Sequence, residues 1–223
     1  MNISPYIDHT LLKADATKEQ VKKLCQEAAL NQFATVCVNP SYVTYCAALL
    51  KDTKVKVCTV IGFPLGANTV EVKVYEAERA LEEGAEELDY VINISNVKNG
   101  ELDKVKEEMK RICAIKHTHP DITIKVIFEV CYLTDDELAK VSEIAKEIGI
   151  DYVKTSTGFG SSGASEKAVE IMKNTVGEKV KVKASGGIRT VEDAKTYIEI
   201  GASRIGTSNG VSIVNGKIST GSY

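Results

Sequence analysis

Strand-like and helix-like segments alternate from one end of the chain to the other, and this alternation limits the folds open to it. Short apolar runs favour buried strands, and amphipathic segments with helical spacing separate them. Strands joined by single helices run parallel through right-handed crossovers. Eight such strands in 223 residues predict an α/β fold of the (β/α)8 barrel type, with a doubly wound open sheet as the alternative. The predicted strands are 6–12, 34–38, 55–61, 87–93, 122–130, 151–155, 180–184 and 203–206.

Helix boundaries carry local patterns that agree with this alternation. Thr17 with Gln20 has the spacing of a capping box, and Asn68 with Glu71 is expected to begin another helix in the same way. No Gly-x-Gly-x-x-Gly motif follows the first strand, which counts against the open-sheet alternative. Glycine follows three of the predicted helices, at Gly84, Gly149 and Gly201, which predicts a recurring helix-to-strand turn.

Charge and segment composition exclude several classes of partner. The formal net charge of −3 gives no attraction to nucleic acid or to an anionic membrane. The N-terminal residues lack the pattern of a signal peptide, and no apolar run approaches a membrane span, so a cytoplasmic location is expected. We expect one catalytic domain over 1–223, with a mobile polar tail at about 216–223.

Cysteine and histidine usage gives no pattern typical of a metal site. The cysteines form no Cys-x-x-Cys pair and are expected to be reduced thiols in the core. Of the three histidines, His117 and His119 lie in an exposed, turn-like stretch with too few neighbouring ligands. We therefore expect neither a metal nor another cofactor. The six cysteines are Cys25, Cys37, Cys46, Cys58, Cys113 and Cys131.

Three charged residues stand inside otherwise apolar predicted strands: Asp89, Lys154 and Lys183. Activity in barrels gathers at the carboxyl ends of the strands. Because strand side chains alternate between faces, Lys183 is expected to point into the lumen if Val182 and Ala184 pack against helices. The same alternation directs Asp89 inward.

Two lysines and an aspartate at a barrel mouth can perform carbonyl chemistry. Two ammonium groups about 5 Å apart repel by roughly 3 kcal/mol, which lowers a pKa by about two units. The resulting free amine can attack a carbonyl carbon, and the aspartate can move protons, alone or through water. The alternative is a buried ion pair between the aspartate and one lysine, with the other lysine reaching solvent.

Glycine and hydroxyl residues after the last two predicted strands favour a phosphorylated substrate. The loops 185–189 and 206–210 follow strands where barrels commonly bind phosphate through backbone N–H groups. Gly186 allows close approach of an anion, and Ser208 can add a hydroxyl. The loop 158–163 can form a third wall.

The chain resembles the 2-deoxyribose-5-phosphate aldolase family over nearly its whole length. This resemblance implies a class I, metal-free aldolase that forms a lysine Schiff base. It also implies reversible cleavage of 2-deoxy-D-ribose 5-phosphate to acetaldehyde and D-glyceraldehyde 3-phosphate, and a homodimer. The matching motifs are Ile-Asp-His-Thr-Leu at 7–11, Cys-Val-Asn-Pro at 37–40, Val-Ile-Gly-Phe-Pro at 60–64, Glu-Leu-Asp-Tyr-Val-Ile at 87–92, Val-Lys-Thr-Ser-Thr-Gly at 153–158 and Lys-Ala-Ser-Gly-Gly-Ile-Arg at 183–189.

The resemblance assigns catalytic roles to four positions. It implies Lys154 as the Schiff-base lysine, Lys183 as its pKa-lowering neighbour and Asp89 as the proton relay. It implies Tyr223 as a proton donor that reaches the site from the tail. The substrate- and phosphate-binding candidates are Asp8, Thr10, Cys37, Thr155, Gly158, Gly186, Gly187, Gly206, Thr207 and Ser208.

Several roles have simpler alternatives. Ordinary packing with a satisfied hydrogen bond is the better interpretation of Thr10 and Cys37, and Glu129 either holds a lysine or is a surface carboxylate. Phe159 occupies a position where some relatives have a lysine near the phosphate. The functional alternatives are another Schiff-base barrel, such as a transaldolase or a ketose-phosphate aldolase, and a non-catalytic barrel that senses sugar phosphates.

Overall fold

The computed structural model describes residues 1–216, in which eight parallel strands form a closed barrel. The strands are β1 (Ile7–Leu11), β2 (Thr35–Val38), β3 (Lys56–Ile61), β4 (Glu87–Val91), β5 (Thr123–Ile127), β6 (Tyr152–Lys154), β7 (Lys181–Ser185) and β8 (Ala202–Thr207). The helices are α1 (Lys18–Asn31), α2 (Val43–Leu50), α3 (Val70–Glu82), α4 (Ile94–Lys98), α5 (Leu102–Cys113), α6 (Asp135–Ile148), α7 (Glu166–Val176), α8 (Val191–Glu199) and α9 (Gly210–Val214).

Strand order follows chain order around the barrel, and β8 closes it by pairing with β1. This topology confirms the predicted (β/α)8 barrel and rules out the open sheet. The register determines which lumen side chains are neighbours: Asp89 lies opposite Lys125, and Lys154 lies opposite Lys183. Charged residues far apart in sequence are therefore brought to one level of the lumen.

Most of the apolar core lies between the barrel wall and the helices, where the outward-facing strand residues meet the inner faces of the helices. Leu88, Tyr90 and Val182 are fully buried there, as strand alternation predicts. A smaller cluster comprises Leu12, Cys37, Cys58 and Val60, with Phe63 packed against it. Cys58 is the member of this small cluster that also contacts the charged residues described below.

Two predicted helix starts illustrate how local patterns succeed and fail. Thr17 and Gln20 form the predicted capping box. The expected cap at Asn68 is wrong, because α3 begins at Val70 and its N-cap, Thr69, makes no side-chain capping bond. None of the helices in 1–216 has both the length and the apolar composition needed to cross a bilayer.

The predicted tail at 216–223 lies, except for Gly216, outside the described residues. Tyr223 is among those residues, so its assignment as a proton donor stays a prediction.

Replacing Gly66 with alanine should lower the free energy of unfolding by about 2–4 kcal/mol, measured by urea denaturation. Gly66 has a φ of +66°, and an added Cβ would lie 2.0 Å from the carbonyl oxygen of Ile92, so backbone must move. Gly149→Ala is the matched control, because its φ is +80° but nothing lies within 4 Å of the added carbon. It should cost only about 1 kcal/mol. Equal losses in the two variants would contradict the steric argument.

Candidate active site

The buried carboxylate of Asp89 lies at the centre of the lumen and contacts three lysines. Lys154 and Lys183 each donate from Nζ to Asp89 Oδ2 over 2.7 Å. Lys125 donates to the other oxygen, Oδ1, also over 2.7 Å. The structure thus confirms that the three predicted residues meet, and it adds a third ammonium group.

Further ion pairs extend this group across the barrel. Lys183 also binds Asp8, and Arg204 bridges Asp8 at 2.6 Å and Glu87 at 3.0 Å. Lys125 closes the connection by binding Glu87 at 2.6 Å. Four cations against three carboxylates leave a net charge of +1 in a space that will favour an anionic substrate. We call this group the lumen network; its members are Asp8, Glu87, Asp89, Lys125, Lys154, Lys183 and Arg204.

The lumen network keeps its charges through mutual contact. Burial alone would raise the pKa of the Asp89 carboxyl, but the three lysines outweigh burial and hold that pKa well below its usual range. Burial would likewise lower the pKa of Lys183, but Asp8 and Asp89 raise it well above the ordinary lysine value. Lys183 therefore remains an ammonium ion at neutral pH.

The three lysines differ in access and in the number of carboxylates that they bind. Lys125 and Lys183 are fully buried, and each binds at least two carboxylates. Lys154 retains 3% exposure and binds Asp89 alone among the described carboxylates. Among these three, Lys154 is therefore the amine that a substrate can reach with the fewest ion pairs to break.

Sequence reasoning missed Glu87, Lys125 and Arg204, and also Cys58, whose thiol lies 3.3 Å from Asp89 Oδ1. Lys125 stands inside Thr-Ile-Lys-Val-Ile and is a charged residue in an apolar strand, as Asp89 and Lys154 are. Alternation within that strand could have found it. Arg204 and Glu87 lie close to strand starts, where sequence alone does not separate inward charges from surface ones.

Cys37 and Thr10 agree with the packing interpretation. The Thr10 hydroxyl donates to the carbonyl of Asp8 over 2.8 Å, and Cys37 is fully buried in the small apolar cluster. A hydrogen bond from Cys58 lowers the pKa of the Cys37 thiol. Ligand atoms of Cys37, Cys58 and Asp89 lie within 4.8 Å of one another, but the ammonium of Lys125 already occupies contacts with Cys58 and Asp89.

Three predicted binding residues meet in a pocket of about 150 Å³, which we call the small pocket. The three residues are Thr10, near the end of β1, Gly158, in the loop after β6, and Ser208, directly after β8. These are carboxyl ends of strands, where the sequence predicts that the substrate binds. The small pocket is lined by Thr10, Leu11, Leu12, Lys13, Gly158, Phe159 and Ser208.

The other predicted binding residues do not line the small pocket. The Thr155 hydroxyl donates to the carbonyl of Ser185, and the Thr207 hydroxyl donates to the carbonyl of Ile188. A Cβ at Gly206 would lie 3.1 Å from Cε of Lys183, so the absence of a side chain gives that lysine room. Gly186 packs against a neighbouring loop, whereas Gly187 is exposed.

A larger pocket of about 490 Å³ adjoins Phe159, and we call it the large pocket. The Phe159 ring meets Phe63 edge-on, with centroids 5.3 Å apart, and it lines both pockets. Glu129 is buried beside the large pocket and accepts hydrogen bonds from the backbone N–H and the hydroxyl of Thr157, so it holds that loop. The large pocket is lined by Pro64, Leu65, Ile94, Ser95, Lys98, Asn99, Glu129, Tyr132, Thr157, Phe159 and Gly160.

A parallel barrel that presents a reachable lysine beside a buried carboxylate is typical of barrel enzymes that act on carbonyl groups. A family model described as DeoC/LacD family aldolase matches residues 3–216, and the chain belongs to that family.

Similar proteins match over nearly the whole chain. The deoxyribose-phosphate aldolase of Caldanaerobacter subterraneus subsp. tengcongensis is 58% identical over 214 residues, which cover 96% of this chain and 93% of that protein. The deoxyribose-phosphate aldolase of Streptococcus uberis is 50% identical over 223 residues, with complete coverage of both chains. The solved structure of the Aeropyrum pernix deoxyribose phosphate aldolase, described as a unique tetramer, is 36% identical. Its TM-score is 0.88, with 96% of this chain and 89% of that chain covered.

Proposed function

We propose that this protein is a class I aldolase that reversibly cleaves 2-deoxy-D-ribose 5-phosphate to acetaldehyde and D-glyceraldehyde 3-phosphate. Relatives named deoxyribose-phosphate aldolase, at 50–58% identity over nearly the full chain, support the substrate. The observation that carries the proposal is that Lys154 binds the central carboxylate and is, at 3% exposure, the least buried of the three lysines that do so.

Lys154 is the nucleophile in this proposal. Its neutral amine adds to the aldehyde carbon C1 of the open-chain sugar, and loss of water gives an iminium ion. The C2–C3 bond then breaks as the C3 hydroxyl loses its proton, and the bonding electrons move toward the iminium nitrogen to form an enamine. Protonation of the enamine at C2, followed by hydrolysis, releases acetaldehyde and restores the amine. The iminium accepts the electrons, so these steps require no metal.

Asp89 and Lys183 support the proton transfers. Asp89 Oδ2 accepts hydrogen bonds from both Lys154 and Lys183; its lowered pKa keeps it ionised, so it can pass protons between the reacting amine and a neighbouring group without holding one. Lys183 stays cationic because Asp8 and Asp89 raise its pKa. It contributes a fixed positive charge that binds the same carboxylate oxygen as the reacting amine. Tyr223 is retained as the predicted proton donor from the tail.

The substrate phosphate is proposed to bind at the mouth, near Gly158 and Ser208 in the small pocket.

The cellular location and the oligomeric state also stay predictions. All six cysteines are free thiols, which supports a reducing, cytoplasmic setting. The resemblance favours a homodimer and the Aeropyrum pernix protein is described as a tetramer; light scattering of the purified protein distinguishes the two.

Borohydride trapping tests the proposed function. Reduction in the presence of acetaldehyde should fix an ethyl group on Lys154, located by mass spectrometry of proteolytic peptides. Cleavage of deoxyribose 5-phosphate should continue in EDTA. A donor panel of acetaldehyde and dihydroxyacetone phosphate separates the proposed reaction from that of a ketose-phosphate aldolase.

Two results would change the assignment. An ethyl group found on Lys183 would reverse the roles of the two lysines. Calorimetric binding of the sugar phosphate with neither turnover nor a trapped adduct would favour the non-catalytic sugar-phosphate sensor.

A further inference from the structure

The small pocket has the dimensions and the polar groups suited to a phosphate. Its volume of about 150 Å³ leaves room for a phosphate group but not for a whole sugar phosphate. Ser208 brings a hydroxyl-bearing side chain and Gly158 adds backbone with a positive φ of +90°, whereas the Thr10 hydroxyl already donates to the carbonyl of Asp8. Placing a phosphate dianion there still requires a cation, because an uncompensated charge is costly to remove from water.

Lys13 is the cation that lines the small pocket among the residues the structure describes. The pocket wall formed by Phe159 is aromatic and, without a charge, cannot neutralise an anion. Lys13 lies two residues after the end of β1, so the strand that carries Asp8 also leads to this lysine at the mouth.

Lys13 lines the small pocket and is unpaired among the described residues. Within residues 1–216 it makes no ion pair or side-chain hydrogen bond. By contrast, Lys98, which lines the large pocket, already binds Glu137 at 2.7 Å. Arg189, in the loop after β7, donates from its backbone N–H to Asp193 Oδ2 over 3.0 Å and does not line the small pocket. A phosphate at Lys13 therefore breaks no existing ion pair.

We propose that Lys13 binds the 5-phosphate of the substrate and sets the preference for a phosphorylated over an unphosphorylated sugar. This inference rests on the proposed function and adds a specificity-determining residue to it. The ammonium group acts as a point charge toward the phosphate oxygens, while Thr10, Gly158 and Ser208 form the remaining wall.

Kinetics on a matched pair of substrates test Lys13. Lys13→Met should lower kcat/KM for deoxyribose 5-phosphate by roughly 10- to 100-fold, mostly through KM, as expected for loss of a charged hydrogen bond. It should leave kcat/KM for unphosphorylated 2-deoxyribose within about twofold, because that substrate presents no charge to the lysine. Lys13→Arg should recover most of the loss.

Salt and a second variant supply the controls. Raising the ionic strength should increase KM for the phosphorylated sugar in the wild type and have less effect in Lys13→Met. Lys22→Met removes an exposed charge on α1 and should leave kcat/KM unchanged for both sugars. Equal losses on both sugars in Lys13→Met would indicate a structural role, and an unchanged KM would remove Lys13 from the phosphate site; either result overturns the inference.

Inorganic phosphate separates this inference from the proposed function. Calorimetry should show weaker binding of phosphate to Lys13→Met than to the wild type, and this measurement needs no turnover. If the wild type traps acetaldehyde on Lys154 but the two proteins bind phosphate equally, the inference about Lys13 fails and the proposed function stands. If phosphate binding weakens but neither trapping nor turnover occurs, the proposed function fails and the phosphate site stands.

Discussion

Replacing Lys154 with methionine should reduce kcat for cleavage of deoxyribose 5-phosphate by at least about 10⁴-fold, since the reaction loses its nucleophile. Methionine keeps most of the apolar stem but has no amine to form an iminium ion. The fold should persist, because Asp89 retains its contacts with Lys125 and Lys183. The measurement is steady-state cleavage with a coupled assay for D-glyceraldehyde 3-phosphate, alongside circular dichroism of each variant.

Lys140→Met is the control for this experiment. Lys140 forms an exposed pair with Asp136 on α6, so its loss should change kcat by less than about twofold. Activity within tenfold of wild type in Lys154→Met would place the nucleophile elsewhere, and Lys183 would then be the next residue to replace.

Replacing Asp89 with asparagine should lower the free energy of unfolding by about 3–5 kcal/mol near pH 7, because three buried lysines lose a shared negative charge. The same variant should lose about 10²–10³-fold in kcat as the proton-carrying group is removed. Urea denaturation and steady-state kinetics measure the two effects. Asp52→Asn, in an exposed loop, is the control and should change stability by less than about 0.5 kcal/mol.

The free energy of unfolding should depend on pH differently in the wild type and in Asp89→Asn. The Asp89 pKa is held below its ordinary value, so its contribution is present above about pH 4 and is lost as pH falls through the lowered pKa. The pKa of Lys183 is raised, so its contribution is complete below about pH 10 and is lost as pH rises through the raised pKa. In Asp89→Asn, an ammonium without its carboxylate is stabilised by losing its proton. The deficit should therefore narrow as pH rises from about 7 to 10. A deficit that does not change with pH would contradict the charge argument.

The barrel could be predicted from sequence because one strand-helix unit recurs along the chain and each unit ends on a recognisable turn. Asp89, Lys154 and Lys183 could be predicted because a charge within an apolar strand is unusual and alternation gives its direction. Whether those charges bind one another depends on the register, which places Asp89 opposite Lys125 and depends on closure of the whole barrel. That information is non-local, so the full lumen network could not be read from any one segment.

Loop roles were harder to predict for a different reason. Gly206 follows the pattern of a phosphate-binding glycine, yet a Cβ added there would meet the side chain of Lys183 inside the barrel. Thr155 and Thr207 have hydroxyls suited to a ligand, but Thr155 donates to the carbonyl of Ser185 at the end of β7, and Thr207 donates to the carbonyl of Ile188 in the loop after β7. A sequence shows that a small or polar residue is present at a strand end. It does not show whether that residue contacts other protein atoms or a substrate. The cap predicted at Asn68 is wrong for another reason: the N-cap is Thr69, one residue later, and α3 begins at Val70.

The lumen network divides by charge along the chain. Its three carboxylates, Asp8, Glu87 and Asp89, lie on β1 and β4, whereas its four cations all lie on β5 to β8. An isolated amino-terminal half would gather only like negative charges from this network, and an isolated carboxyl-terminal half only positive ones. Within each half these network charges repel one another, and they attract those of the other half. Two fragments cut between β4 and β5 would therefore be complementary to one another and ill-suited to pairing with their own copies.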